Sequence, residues 1–319
     1  MRVLLAGGAG FIGSHLAEAL LAEGSSVVVI DNLITGRHQN IEQLIDHPDL
    51  QFVEHDVTVA LPRTSELADP FDLILNFASP ASPSDFEKLP IEILSVGSTG
   101  TRNLLDRALL DNARFLLAST SEVYGDPLVH PQPETYWGNV SSVGPRSCYD
   151  EAKRFSEALT MAYRRVYGLR VQIVRIFNTY GERMRPGDGR VVNTFVEQAL
   201  RGEPITIHGT GEQSRSFCYI ADEISGLMSL IASEFPEPIN IGNPHEFTMK
   251  ELAKLVLEIT GSNSPLNFVP LPSEREGDPV HRRPDIELAR KSLGWEPVVE
   301  LREGLERMIH YFRTVEGIG

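Results

Sequence analysis

The chain has 319 residues, of which 41% are hydrophobic and 23% charged, and a formal net charge of −15. That length allows two domains, or one large domain with an appendage, and the composition is that of a soluble globular protein. The acidic balance argues against generic binding to nucleic acid or an anionic membrane, but leaves room for a phosphorylated small ligand in a local basic pocket.

Residues 3–6 (Val-Leu-Leu-Ala) predict a short buried strand and residues 11–23 a helix with apolar side chains at helical spacing. Met1-Arg2 and the apolar residues after it superficially begin like a signal peptide. Gly7, Gly8, Gly10 and Gly13, followed by Glu18 and Glu23, interrupt that pattern, and no later run approaches the ~18 apolar residues of a membrane span. The glycines fit both G-x-x-G-x-x-G (Gly7, Gly10, Gly13) and G-x-G-x-x-G (Gly8, Gly10, Gly13). Between a strand and a helix such a turn lets backbone approach a pyrophosphate at the helix N-terminus. A second strand, 26–30, ends in Asp31, an acid placed to hold ribose hydroxyls and repel a 2′-phosphate, which favours NAD over NADP.

The alternation continues with strands at 51–54 and 72–76. Asp56 follows the first of these and either bonds the adenine amine or caps the next segment. The loop 77–83 is too proline-rich for a helix. A long amphipathic helix is expected over 91–110 and a fifth strand over 115–118. Next comes Ser119 to Gly125, which supplies hydroxyls and one carboxylate, Glu122, at the strand end. Residues 126–147 form a loop long enough to suggest function. The helix after it carries Tyr149 and Lys153 four residues apart, on one face, where an ammonium favours a phenolate. A sixth strand, 171–176, delivers Asn178 to the same edge.

These repeats predict an α/β chain, a Rossmann-type doubly wound parallel sheet with ligands beyond its strand C-termini. The alternation then decays: helices are expected at 191–202, 222–233, 248–260, 286–293 and 301–313, with a short strand at 205–207. The expected organisation is an NAD-binding domain over 1–180, with return segments at about 212–242, and a smaller mixed domain over 181–319, mainly for substrate. Cys148 and Cys218 are far apart and match no ligand spacing, so no metal site or disulfide framework is expected and a reducing cytoplasm fits.

Tyr149-x-x-x-Lys153 together with the glycine turn, Asp31 and the Ser119 segment resembles the extended short-chain dehydrogenase/reductase superfamily. Within it, several stretches resemble the UDP-glucuronate decarboxylases: 78–83, 119–127, 130–132, 136–140, 144–151, 175–181, 189–192, 215–217 and 282–286. The related 4,6-dehydratases carry Thr-Asp-Glu where this chain has Thr120-Ser121-Glu122. Departures from the decarboxylase pattern are Ser141-Ser142, Ala152, Glu182 and Ser214.

The resemblance implies NAD held by Gly7, Gly10, Phe11, Ile12, Gly13, Asp31, Asn32, Asp56, Val57, Ala78, Tyr149 and Lys153. It implies a UDP-sugar contacted by Pro80, Ser121, Asn178, Arg190, Val191, Arg215 and Arg282, with Arg282 on the diphosphate. It further implies Tyr149 as the base for O4 of a glucuronate ring, Lys153 lowering its pKa and Thr120 orienting O4. At the carboxylate end Arg215 positions the substrate and Glu122 serves ring distortion or reprotonation at C5. The implied outcome is UDP-xylose and carbon dioxide with the hydride returned, no metal, and a homodimer packed through the 91–110 and Tyr149 helices. A UDP-glucuronate 4-epimerase is the alternative reading; Thr-Ser-Glu with Arg215 speaks against it.

Overall fold

Continuous runs of aliphatic and β-branched residues build the central sheet, as expected for strands buried on both faces. A computed structural model describes residues 1–62, 64–271 and 281–319. Its first half alternates β1 (Arg2–Ala6), α1 (Phe11–Ala22), β2 (Ser26–Asp31), β3 (Leu50–Glu54), β4 (Leu73–Asn76), α2 (Pro83–Phe86), α3 (Pro90–Ser95), α4 (Thr101–Asp111), β5 (Arg114–Thr120), α5 (Ser147–Tyr167) and β6 (Val171–Ile176). The second half contains β7 (Thr179–Tyr180), α6 (Val191–Arg201), β8 (Ile205–His208), β9 (Ser214–Ser216), β10 (Cys218–Tyr219), α7 (Ile220–Ala232) and β11 (Ile239–Ile241). It ends with β12 (Glu246–Thr248), α8 (Met249–Thr260), β13 (Leu266–Val269), β14 (His281–Arg282), α9 (Glu287–Leu293) and α10 (Leu301–Thr314).

Seven strands form one parallel sheet in the order β11-β6-β5-β4-β1-β2-β3. The chain leaves β1 toward β2 on one side and later returns to β4 on the other, so β1 and β4 flank a topological switch point, where such sheets bind ligands. Helices cover both faces, and Leu5, Leu16, Leu75 and Leu116 lie in one of the cores they seal. A separate core gathers Phe195, Leu252, Leu305, Met308 and Phe312 from α6, α8 and α10. Ile12 and Ile224 pack against both cores, so the two parts share a wall of side chains.

The smaller strands are paired as β8 with β13, β7 with β10, and β9 between antiparallel β12 and parallel β14. The last set matters for function, because it places Arg215 beside Arg282 in register.

The helix expected over 91–110 is not one regular helix. A π turn at Val96–Gly100 separates α3 from α4. A Cβ on Gly97 would lie 2.7 Å from the Cβ of Ala152, so the glycine lets α5 approach closely there. Thr101 Oγ1 donates to Val96 O and shares a hydrogen bond with Ser156 Oγ, fastening the turn to α5. Among the described residues no helix is long and apolar enough to cross a membrane.

Candidate active site

The glycine turn begins where β1 ends. Gly7 has φ of 80°, and a Cβ there would lie 2.6 Å from the carbonyl of Phe77; one on Gly13 would lie 2.2 Å from Gly7 O. Asp31 accepts hydrogen bonds from Ala9 N–H (3.0 Å) and Leu33 N–H (2.9 Å), which pin the turn to the end of β2. Burial raises its carboxyl against these donors, and its carboxylate still lines a hollow of about 260 Å³ with Asn32, Asp56, Val57, Ala78 and Pro80. Asp56 also caps the chain after β3, accepting from Thr58 N–H (2.8 Å) and from Asn32 Nδ2 (3.0 Å). Burial would raise it, but these donors hold it below its ordinary value.

A larger cavity of about 770 Å³ shares Gly7, Gly10, Phe77 and Ser79 with the first. Two hollows meeting over a glycine turn, one edged by the Asp31 carboxylate, fit a dinucleotide whose diphosphate crosses the turn. Phe11, Ile12, Gly13, Thr120, Ser121, Glu122, Tyr149, Lys153, Asn178, Arg190, Val191, Arg215 and Arg282 line the larger space. Pro80 lines the smaller hollow, while its neighbours Ser79 and Ala81 line the larger.

Tyr149 and Lys153 project from the first turns of α5. Burial pushes the phenol up to about 12, against the hydrogen bond from Thr120, and the nearby charge of Glu122 adds to the rise. Phe86 stacks on the Tyr149 ring at a centroid distance of 4.9 Å and 19° between planes, which fixes the ring's orientation. Lys153 Nζ donates to Ala118 O at 2.9 Å, on the last residues of β5, and burial lowers its pKa to about 8. Its ammonium lies 5.8 Å from the Tyr149 ring centroid, so in this structure burial of the phenol outweighs the lowering expected from the lysine.

Glu122 follows β5 in a short 3₁₀ turn that Thr120 caps by accepting from Glu122 N–H. Its carboxylate is clamped between two guanidiniums. Arg146 NH2 lies 2.7 Å from Oε2, and Arg282 donates to both oxygens, NH2 to Oε2 at 2.7 Å and NH1 to Oε1. Burial alone would raise this carboxyl, but the arginine charges and hydrogen bonds hold it at about 2. Asp150 stands next to the clamp, with Oδ2 4.0 Å from Arg146 Nε. Burial and the Glu122 charge raise it to about 7.

The remaining expected residues are dispersed around the rim. Arg215 NH1 donates to Ser214 O, Asn178 Nδ2 to Ser216 O, and Arg190 N–H to Asp188 Oδ1, at the start of α6. Arg282, expected on the diphosphate, lines the larger cavity and donates to both Glu122 oxygens.

Four participants went unassigned in the sequence: Phe86, Arg146, Asp150 and Gln132. Arg146 lies three and four residues before Tyr149 and Asp150, a helical spacing that signalled its reach. Gln132 is fully buried in the 126–147 loop. Its backbone N–H donates to Arg283 O and its Oε1 accepts from Arg283 N–H, both at 2.9 Å, so the loop holds the strand carrying Arg282.

Residues 4–308 match the family model described as GDP-mannose 4,6 dehydratase. Among curated proteins, UDP-glucuronic acid decarboxylase 1 of Xenopus tropicalis is 48% identical over 98% of this chain and 72% of its own length. UDP-glucuronic acid decarboxylase 5 of Arabidopsis thaliana is 49% identical over 100% of this chain and 91% of its own length. Among solved structures, UDP-glucuronic acid 4-epimerase of Bacillus cereus, in complex with UDP-glucuronic acid and NAD, superposes with a TM-score of 0.88 at 29% identity. That match covers 99% of this chain and 100% of the epimerase. A dTDP-glucose 4,6-dehydratase of Streptomyces venezuelae, with NAD bound, gives the same score and identity over 99% of this chain and 98% of its own.

The raised Asp150 carboxyl binds its proton more tightly in the folded than in the unfolded chain. Its contribution to stability is therefore full below the ordinary carboxyl value of 3.8 and is lost as pH rises through about 7. Asp150→Asn should gain stability relative to the parent between about pH 5 and about pH 8, measured by urea denaturation at both. An equal difference at the two pH values would show that Asp150 does not titrate in that window.

Proposed function

This chain belongs to the GDP-mannose 4,6-dehydratase family, of extended short-chain dehydrogenase/reductase fold, and we propose that it converts UDP-glucuronate to UDP-xylose and carbon dioxide. The observation that carries the choice within the family is Thr120-Ser121-Glu122. It puts Ser121, a hydroxyl that cannot act as the acid, where the 4,6-dehydratase pattern has an aspartic acid, and leaves Glu122 beside it as an ionised carboxylate clamped by two arginines. Bound NAD⁺ supplies a hydride acceptor that later returns the hydride, so the reaction has no net redox change.

The chain's own residues handle the protons and the charge. Tyr149 takes the proton from O4 as C4 is oxidised, and Thr120 orients that oxygen through a hydrogen bond. Lys153, anchored on Ala118 O, keeps positive charge under the phenol while it is ionised. With a ketone at C4, the carboxyl on C5 is β to it. The bond from C5 to the carboxyl carbon breaks, carbon dioxide leaves, and the electron pair enters an enolate whose oxyanion faces Tyr149 and Thr120. Arg215 positions the departing carboxylate. Glu122, held as an anion, serves ring distortion rather than proton delivery, and C5 takes its proton from water. As C4 is reduced again, Tyr149 returns its proton to O4, which restores the phenol and leaves the xylose ring.

Residues 1–180, with return segments at about 212–242, form the NAD-binding part and 181–319 mainly the sugar-nucleotide part. Two buried, unpaired cysteines fit a cytoplasmic protein. A homodimer is supported by Ile91, Leu94 and Phe155, large apolar side chains left exposed on the neighbouring helices α3 and α5. Phe155→Glu should give a monomer by sedimentation equilibrium; an unchanged dimer would place the interface elsewhere.

Purified protein incubated with UDP-glucuronate and no added reductant should release one carbon dioxide per UDP-xylose, followed by NMR. Tyr149→Phe should lower that turnover by about 10²- to 10⁴-fold. UDP-galacturonate with its carboxylate retained would make the protein a 4-epimerase and overturn the proposal.

A further inference from the structure

The loop after Asp31 lines the smaller hollow through Asn32, Ile34, Thr35 and Gly36. Gly36 lies against the Asp31 carboxylate, so closely that a Cβ there would be 2.8 Å from Oδ1. Arg37 follows immediately, and its backbone N–H donates to Ala9 O in the glycine turn at 3.0 Å. A guanidinium in this position is the group that would attract a 2′-phosphate on the adenosine ribose. It is already engaged. Glu316, beyond the end of α10, takes it in a bidentate pair, with NH2 to Oε1 at 2.7 Å and NH1 to Oε2 at 3.1 Å. Asn40 Oδ1 accepts from the same NH2 at 3.2 Å, while Asn40 Nδ2 donates to Ala9 O at 3.0 Å. Arg37 Nε is buried and has no hydrogen-bond partner among the described residues.

We propose that Glu316 is a cofactor-specificity residue, which holds Arg37 away from the 2′ position and so excludes NADP. Two acids then guard one ribose by different means. Asp31 repels a 2′-phosphate directly, and Glu316 neutralises and anchors the arginine of the loop after Asp31, a cation that would draw that phosphate in. The Glu316 carboxylate is nearly buried and the pair sits inside the fold, so salt screens it less than it screens an exposed pair. The arrangement also makes a residue at the far end of the chain part of the dinucleotide site, through a contact 279 positions apart in sequence.

The inference rests on the dinucleotide reading of the glycine turn, which NAD⁺ titration of the unaltered protein checks on its own. Isothermal titration with NAD⁺ and NADP⁺ is then repeated on Glu316→Ala and on the double variant Arg37→Ala/Glu316→Ala. The preference for NAD⁺ should fall about tenfold or more in the single variant, through a gain in NADP⁺ affinity. It should return toward the parent value in the double variant, where no guanidinium remains. An unchanged preference in Glu316→Ala would overturn the proposal. So would an equal loss of both nucleotides, which marks a purely structural contact, or a shift that persists in the double variant.

Discussion

A carboxylate fixed between two guanidiniums is the constraint on which the candidate site depends. Glu122 follows β5, Arg146 immediately precedes α5, and Arg282 belongs to β14, so three segments distant in sequence meet on one side chain. The arrangement is demanding, because removing one member of a buried ion pair leaves an uncompensated charge and costs about 3–5 kcal/mol. Gln132 extends the same constraint outward by bonding the backbone of Arg283, so the long loop and the edge of the β9–β12–β14 sheet are positioned together. Arg215 gains its place at the cavity from that register. The clamp therefore sets both the charge at the sugar end and the position of the strand that faces it.

On the other side of the cavity, packing rather than charge sets the geometry. The π turn opposite Ala152 brings α5 close to α3 and α4, which fixes the level at which Tyr149 and Lys153 leave the helix. Phe86 covers the phenol ring, and Lys153 reaches back to the end of β5. Both ionisable groups are buried, and both are displaced toward neutrality, the phenol up and the ammonium down. Two cations hold Glu122 charged only a few residues away in β5's continuation. One cavity thus keeps a neutral proton carrier and a permanent anion side by side, the separation of pKa values that acid–base sites require.

Much of this was legible in the sequence, for physical reasons that differ from residue to residue. The parallel sheet followed from buried runs such as Val27 to Ile30, where both faces are covered and no alternation is needed. The glycine turn and Asp31 were readable because each serves local backbone geometry within one βαβ unit. Tyr149 and Lys153 were readable because helical periodicity alone puts them on one face. What the sequence withheld was long-range pairing. Nothing local tells that Arg282 meets Glu122, that Gln132 holds Arg283, or that Glu316 closes on Arg37. The break in the 91–110 helix was hidden for a similar reason, since Gly97 is required by Ala152, 55 positions later in the chain, and not by its own helix.

The ionisation state of Glu122 tests the account most directly. It is followed by ¹³C NMR of carboxyl-labelled glutamate, with the resonance assigned by its disappearance in Glu122→Gln. The clamp predicts a carboxylate that stays ionised well below the ordinary glutamate range, down to the pH at which the protein unfolds. A titration midpoint at the ordinary value of 4.5 or above would mean that the two arginines do not hold it, and would return Glu122 to the role of a proton donor.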